Sequence, residues 1–169
     1  FVRINSTGKR LTGQEKRHAK YFSSPFLKCA GRLGEKHSKF FLENRIVTRG
    51  QYARMKHIEL IGELMASIYS KGIINKKTAL DNIIGGQTIE GKTLVNCRNQ
   101  FEYALNLIKK MFPELRSTRF VNSSEFYSVF MLIWEMNKEK FILSNSSRNN
   151  QAQTLLAWLS NGVDKVRSQ

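Results

Sequence analysis

The sequence predicts an all-α protein, a bundle of about six to eight helices. Apolar residues recur at intervals of three and four along most of the chain, and the alternation of period two that is typical of strands is absent. Only two prolines occur in 169 residues. Because proline removes a backbone N–H and interrupts the helical ladder, its scarcity permits long helices. A sheet of any size is therefore not expected.

The first two helices have recognisable start signals. Thr12 and Glu15 have the spacing of a capping box, in which the two residues satisfy each other's free backbone donors, so a helix is predicted over 13–22. Pro25 suits the first turn of a second helix, and Gly34 is a plausible end for it. The apolar stripe of this second helix is Phe26, Leu27, Ala30 and Leu33.

A second capping-box spacing predicts the clearest amphipathic helix. Thr48 and Gln51 supply the cap, and the helix is expected to run to Gly72. Its apolar positions are Ile58, Ile61, Leu64, Met65, Ile68 and Tyr69. Weaker patterns indicate short helices over 39–47 and 75–84.

Two more long helices are predicted in the second half of the chain. Residues 93–112 carry an apolar face, and Pro113 ends that helix. Asn122 and Glu125 supply a cap for the next helix, which is apolar nearly all round and is therefore predicted to be the central buried helix.

The C-terminal region is expected to end in a further helix. A brief apolar segment at 141–143 and a loop at 144–150 precede a predicted helix over 152–166. Its inward-facing residues are predicted to be Leu155, Leu156, Leu159 and Val163.

The charge of the chain indicates a polyanionic partner. Lys and Arg number 28 against 13 Asp and Glu, which gives a net charge of +15 and a pI near 10.1. The first fifty residues contribute most, with 12 basic and 3 acidic side chains. Such a surplus attracts nucleic acid without implying any sequence preference, although a basic surface that serves only solubility remains an alternative.

Several classes of protein are disfavoured. No signature of a phosphate loop, zinc site or nucleophile elbow occurs, and no apolar run or signal peptide indicates a membrane or secretory route, so a cytoplasmic location is expected. Cys29 and Cys97 are expected to be buried and reduced. His18, His37 and His57 are far apart in sequence, and we assign them no functional role.

Two stretches near the N-terminus resemble a known family. They are residues 1–5, Phe-Val-Arg-Ile-Asn, and residues 11–21, which contain Gln14-Glu15-Lys16-Arg17 after a glycine-containing loop. They resemble the second half of the N-terminal domain of GmrSD-type modification-dependent restriction enzymes. That domain is ParB-like (sulfiredoxin-like), and a helical bundle follows it. The chain also begins at Phe1 rather than Met, so we expect a piece of a longer protein.

The resemblance implies a role in bacterial defence against foreign DNA. In the family, the ParB-like α/β half carries an Asp-Gly-Gln-Gln-Arg motif for nucleotide hydrolysis or DNA cleavage, and this motif is absent here. Nucleoside triphosphate and a divalent metal would therefore belong to the intact parent, whose upstream half is an expected partner. This piece is expected to hold no cofactor and to be inactive as an enzyme. The resemblance implies that residues 1–23 contain the end of the nucleotide or DNA site and the first helix. Residues 24–169 are then expected to form the helical bundle, and the whole chain a single domain.

The candidate site residues fall into two sets. The resemblance implies nucleotide-binding residues, which are Phe1, Arg3, Asn5, Gln14 and Arg17. The cations around the first helix are candidate DNA phosphate contacts, and these are Lys9, Arg10, Lys16, Arg17 and Lys20. Lys16 and Lys20 lie one turn apart on one helix face.

Two other functions remain open from the sequence. The bundle is alternatively a protein-interaction or scaffold module without any nucleic-acid role. An RNA-binding domain is disfavoured because the aromatic residues fall on stripes that indicate a core rather than a surface for base stacking.

Overall fold

The structure is a computed structural model that describes residues 11–74, 76–86, 88–139, 147, 150–151 and 154–156. Over these residues the fold is all-α, with no strand, as the sequence predicts. The α-helices are α1 Gly13–Lys20, α2 Pro25–Lys36, α3 Ser38–Glu43, α4 Arg49–Ala53, α5 Lys56–Ser70, α6 Lys76–Gly85, α7 Gly91–Met111 and α8 Ser123–Lys138. A 3₁₀ helix, Leu115–Ser117, joins α7 to α8.

The predicted capping residues Thr12, Thr48 and Asn122 are confirmed, but the Glu125 side chain does not take part in the cap of α8 as predicted, because its carboxylate accepts from Arg119 at 2.7 Å. The Thr12 hydroxyl accepts from the Glu15 backbone N–H at 3.2 Å, and the Glu15 carboxylate accepts in return from the Thr12 N–H. Thr48 and Gln51 form the second capping box. The Asn122 side chain accepts from the first free N–H groups of α8.

The helix predicted to follow Thr48 is broken into α4 and α5. Met55 adopts a left-handed conformation, with φ of 60°, between the two helices. The break folds the Tyr52 ring back onto the His57 ring, and their centroids lie 3.8 Å apart. Apolar periodicity gave no sign of this turn, because a left-handed Met has no distinctive sequence signature.

The central helix is α5 rather than α8, which corrects the sequence prediction. Every residue of α5 from His57 to Ile68 is buried except the half-buried Glu59. It packs against α1, α2, α4, α6, α7 and α8. The helix α8 instead keeps an exposed stripe at Ser124, Ser128 and Leu132.

The core joins α3, α7 and α8 through aromatic rings. Phe41 and Phe126 are fully buried, and their rings meet edge to face at 5.9 Å. Cys29 and Cys97 are buried free thiols, as predicted. None of the described helices is long and apolar enough to cross a membrane.

The C-terminal predictions are only partly covered by the described residues. The segment 141–143 and the residues Leu159 and Val163 lie outside them, as does most of the loop 144–150. Leu156 packs against the core as predicted, but Leu155 is 66% exposed, so its predicted inward orientation is wrong in this structure.

Two glycines of α2 provide a test of the contact between α2 and α5. A Cβ at Gly34 would lie 2.9 Å from His57 Cδ2 and 3.2 Å from Ile58 Cγ1, whereas one at Gly31 would meet nothing within 4 Å. We expect Gly34→Ala to lower the free energy of unfolding by about 1–3 kcal/mol. Gly31→Ala should raise it by about 0.5–1 kcal/mol, since alanine favours the helix. Urea unfolding checks both, and equal gains in the two variants would contradict this packing.

Candidate functional site at the first helix

The helix α1 presents two faces of different character. Gln14 and Arg17 are buried, with 1% and 6% exposure, and point towards the bundle. Lys16 and Lys20 are exposed on the other side, one turn apart. The predicted pairing of these two lysines on one face is therefore present in the structure.

Arg17 ties α1 to two other helices. Its guanidinium donates to Glu59 of α5 at 2.9 Å and to Asp81 of α6 at 2.6 Å. Burial works against the charge of Arg17, but the two carboxylates outweigh it and raise the pKa of the guanidinium. The side chain is thus already occupied, and a phosphate would have to displace two carboxylates to bind it.

Glu15 connects α1 to the turn between α4 and α5. Its carboxylate accepts from Arg54 at 3.1 Å in addition to closing the Thr12 cap. The hydrogen bond from the Thr12 backbone, followed by the one from Arg54, lowers the pKa of Glu15 to about 2. Glu15 and Arg17 therefore bind α1 to the rest of the bundle.

Unpaired polar atoms lie buried next to these ion pairs. Both amide atoms of Gln14, Nε2 of His18 and Nδ1 of His57 have no hydrogen-bond partner in the described part of the chain. Although His18 and His57 lie far apart in sequence, the charge of His18 acts on His57 in the folded chain. Burial, followed by the charge of His18, lowers the pKa of His57 to about 4.

A cavity of about 340 Å³ opens where α1 and α4 begin. Its polar lining includes Thr12, Thr48, Arg54 and Lys56. Lys56 forms a salt bridge with Glu59 at 2.6 Å, and Arg54 forms one with Glu15. Both cations of this cavity therefore already have carboxylate partners. Gln14 and Arg17 are not among the residues that line it.

The structure does not describe the remaining candidate residues. Phe1, Arg3, Asn5, Lys9 and Arg10 lie outside the described residues. The nucleotide site implied by resemblance is therefore represented only by Gln14 and Arg17, both of which are buried. Among the described residues, no group of three or more His, Cys, Asp or Glu side chains is arranged to hold a metal ion.

The sequence reasoning missed the carboxylates that hold α1. Glu59 and Asp81 lie 42 and 64 residues beyond Arg17, so no local pattern connects them. A signal for the orientation of Arg17 did exist. Gln14, Arg17, His18 and Tyr21 have the spacing i, i+3, i+4, i+7 of one helix face, and all four are buried or half-buried.

Comparison of the chain with protein-family models, with curated proteins and with solved structures finds no match.

Arg17 and Lys16 are adjacent cations that should respond differently to the loss of charge. Arg17→Met removes the cation shared by the half-buried Glu59 and the exposed Asp81, and we expect it to lower the free energy of unfolding by about 1–3 kcal/mol. Lys16→Met, at an exposed position, should change it by less than about 0.5 kcal/mol. Urea unfolding at neutral pH distinguishes them, and a neutral Arg17→Met would show that the ion pairs add little.

The buried histidines predict a stability that falls in mild acid. Burial lowers the folded-state pKa of both His37 and His57 from 6.5 to about 4, so between these values the unfolded chain binds more protons. The two neutral histidines therefore leave the free energy of unfolding at its full value above pH 6.5, and this value falls as the pH is lowered towards 4. His57→Phe keeps a ring against Tyr52, and we expect it to reduce the slope of unfolding free energy over this range. An unchanged slope would contradict a neutral His57.

Proposed function

We propose that this chain binds DNA as the basic helical part of a bacterial restriction or anti-phage defence protein. The observation that carries the proposal is the pair Lys16 and Lys20, exposed on one face of α1. Neither lysine forms a salt bridge within the described part of the chain. Together with the net charge of +15, this favours the phosphates of a nucleic acid as the partner.

The assignment to a restriction or defence protein rests on the resemblance to GmrSD-type enzymes. The residues Gln14 to Arg17 and the string 1–5 resemble GmrSD-type enzymes, whose upstream ParB-like half carries the chemistry. On this proposal the present chain supplies DNA contacts, and the upstream half supplies nucleotide hydrolysis or cleavage with its nucleoside triphosphate and metal.

The DNA-binding surface we propose is narrower than the sequence suggested. Arg17 is removed from it, because its guanidinium is buried and bound to Glu59 and Asp81. Lys16 and Lys20 remain, and Lys9 and Arg10 precede them in the chain. In this proposal, phosphate contacts position the protein on the duplex and do not select a sequence.

A protein-interaction module is the second candidate. Phe22 and Ile73 are large apolar side chains with 76% and 81% exposure, so their surface is available for contact with another protein. A partner protein would bury them. Phe22→Ser should then weaken partner binding, whereas it should leave duplex binding unchanged.

DNA binding by α1 is tested by fluorescence anisotropy on a labelled duplex across a salt series. We expect affinity to fall steeply with salt and Lys16→Glu/Lys20→Glu to weaken binding by about 10- to 100-fold, with a salt slope shallower by about two. The matched control is Lys92→Glu/Lys110→Glu, which makes the same change of charge at exposed positions of α7.

The control separates a local site from general attraction. Equal losses in the two double variants would show that only the net charge matters and would remove α1 as the site. Absence of duplex binding by the unaltered chain at low salt would overturn the DNA proposal and favour the interaction module.

A further inference from the structure

A second basic surface lies away from the residues singled out in the sequence. A groove of about 760 Å³ runs between α3, the turn after it, the start of α4 and the 3₁₀ helix. Four cationic side chains line it, and these are Lys39, Arg45, Arg49 and Arg116. Leu42 and Val47 are its apolar lining residues.

The positive charge of this groove is nearly uncompensated. Among the described residues, Glu43 is the only carboxylate that lines the groove, and it lies 3.8 Å from Lys39 in a pair whose side chains are both more than half exposed. Such a pair contributes little. The three arginines have no salt bridge or side-chain hydrogen bond within the part of the chain that the structure describes. By contrast, Arg17 and Arg54 both hold carboxylates.

Arg45 occupies a backbone position that disfavours it. Its φ is 56°, in the left-handed region, where glycine is the usual residue. The Arg45 N–H donates to the Leu42 carbonyl at 3.1 Å and the Ile46 N–H to the Phe41 carbonyl at 3.0 Å, which is the Schellman pattern at the end of α3. Folding alone would favour glycine here, so the arginine side chain calls for another explanation.

The turn that carries Arg45 is held firmly. Ile46 and Val47 are each 1% exposed, and the Ser123 hydroxyl at the start of α8 donates to the Ile46 carbonyl at 3.1 Å. The arginines on either side of this buried pair are therefore carried by an ordered backbone. Binding by a fixed platform loses less conformational entropy than binding by a mobile loop.

The surroundings of the groove suit a polymer better than a single small anion. Thr48 lines both this groove and the cavity at the start of α1, so the two depressions adjoin each other. Four cations along an open depression match a row of phosphates. Arginine also binds phosphate through two parallel N–H donors, which gives each contact a defined geometry.

We propose that this groove, lined by Lys39, Arg45, Arg49 and Arg116, is a second binding site for the DNA backbone, distinct from Lys16 and Lys20 on α1. The proposal rests on the proposed function, since it takes duplex DNA as the partner. It assigns phosphate contacts to Arg45, Arg49 and Arg116. It assigns to Glu43 the opposite effect, a local repulsion of phosphate.

Arg45→Gly tests the groove with a variant that we expect to fold normally. Glycine relieves the left-handed strain, so we expect the urea midpoint of unfolding to stay the same or rise while duplex affinity falls about three- to tenfold at 0.1 M salt. Lys71→Gly is the matched control. Lys71 has φ of 55° and ends α5 with the same hydrogen-bond pattern, but it lies outside the groove.

Two further variants test the groove from opposite directions. Arg49→Ala/Arg116→Ala should flatten the salt slope by about two. Glu43→Gln should strengthen duplex binding, because it removes the carboxylate from the lining. Both are exposed surface changes with little expected effect on folding.

The outcomes separate this proposal from the one for α1. If the chain binds the duplex and Lys16→Glu/Lys20→Glu weakens it, but Arg45→Gly behaves like Lys71→Gly, the groove is overturned and the α1 site stands. If the groove variants weaken binding and the α1 variant does not, the groove stands alone. Binding only to vesicles containing phosphatidylserine, with no affinity for the duplex, overturns the groove as a DNA site.

Discussion

The burial of α5 is the constraint on which the rest of the structure depends. A helix buried on nearly every side needs neighbours all around it, and α1, α2, α4, α6, α7 and α8 supply them. Space between α5 and α2 is so limited that Gly34 has no room for a methyl group beside His57. Glu59 is the half-buried exception, and it binds Arg17 and Lys56. The polar side of α5 is thus the anchor for α1.

This arrangement gives the cations near α1 and the groove two different roles. Arg17 binds Glu59 and Asp81, and Arg54 binds Glu15, so these two arginines connect helices to one another. The exposed lysines of α1 and the arginines of the groove hold no carboxylate in the described structure. Net charge alone does not distinguish these groups, because each arginine adds the same unit. The distinction matters, since a cation that already binds a carboxylate must give up that partner before it can neutralise a phosphate.

Local features of the fold were predictable, and features that depend on distant contacts were not. The caps at Thr12, Thr48 and Asn122 followed from residues three apart, because both partners of each cap lie within one turn. The partners of Arg17 lie 42 and 64 residues away, so its burial depended on the packing of α1 against α5 and α6. The choice of α5 as the central helix also escaped prediction, because α5 and α8 are both strongly apolar and only their neighbours distinguish them.

The basic groove could not be predicted from the sequence, because the turn that carries Arg45 has no glycine to mark it. Lys71 occupies a turn of the same kind. Glycine is the usual residue at a left-handed position after a helix, but Arg45 and Lys71 occupy these positions after α3 and α5, so the usual sequence signal is missing at both. The turn after α3 tolerates the strain because buried Ile46 anchors it against α8. The turn after α5 leads instead to the exposed Ile73. The same local conformation therefore presents one cation to a basic groove and the other to open solvent, and this difference in surroundings is what favours a binding role for Arg45 alone.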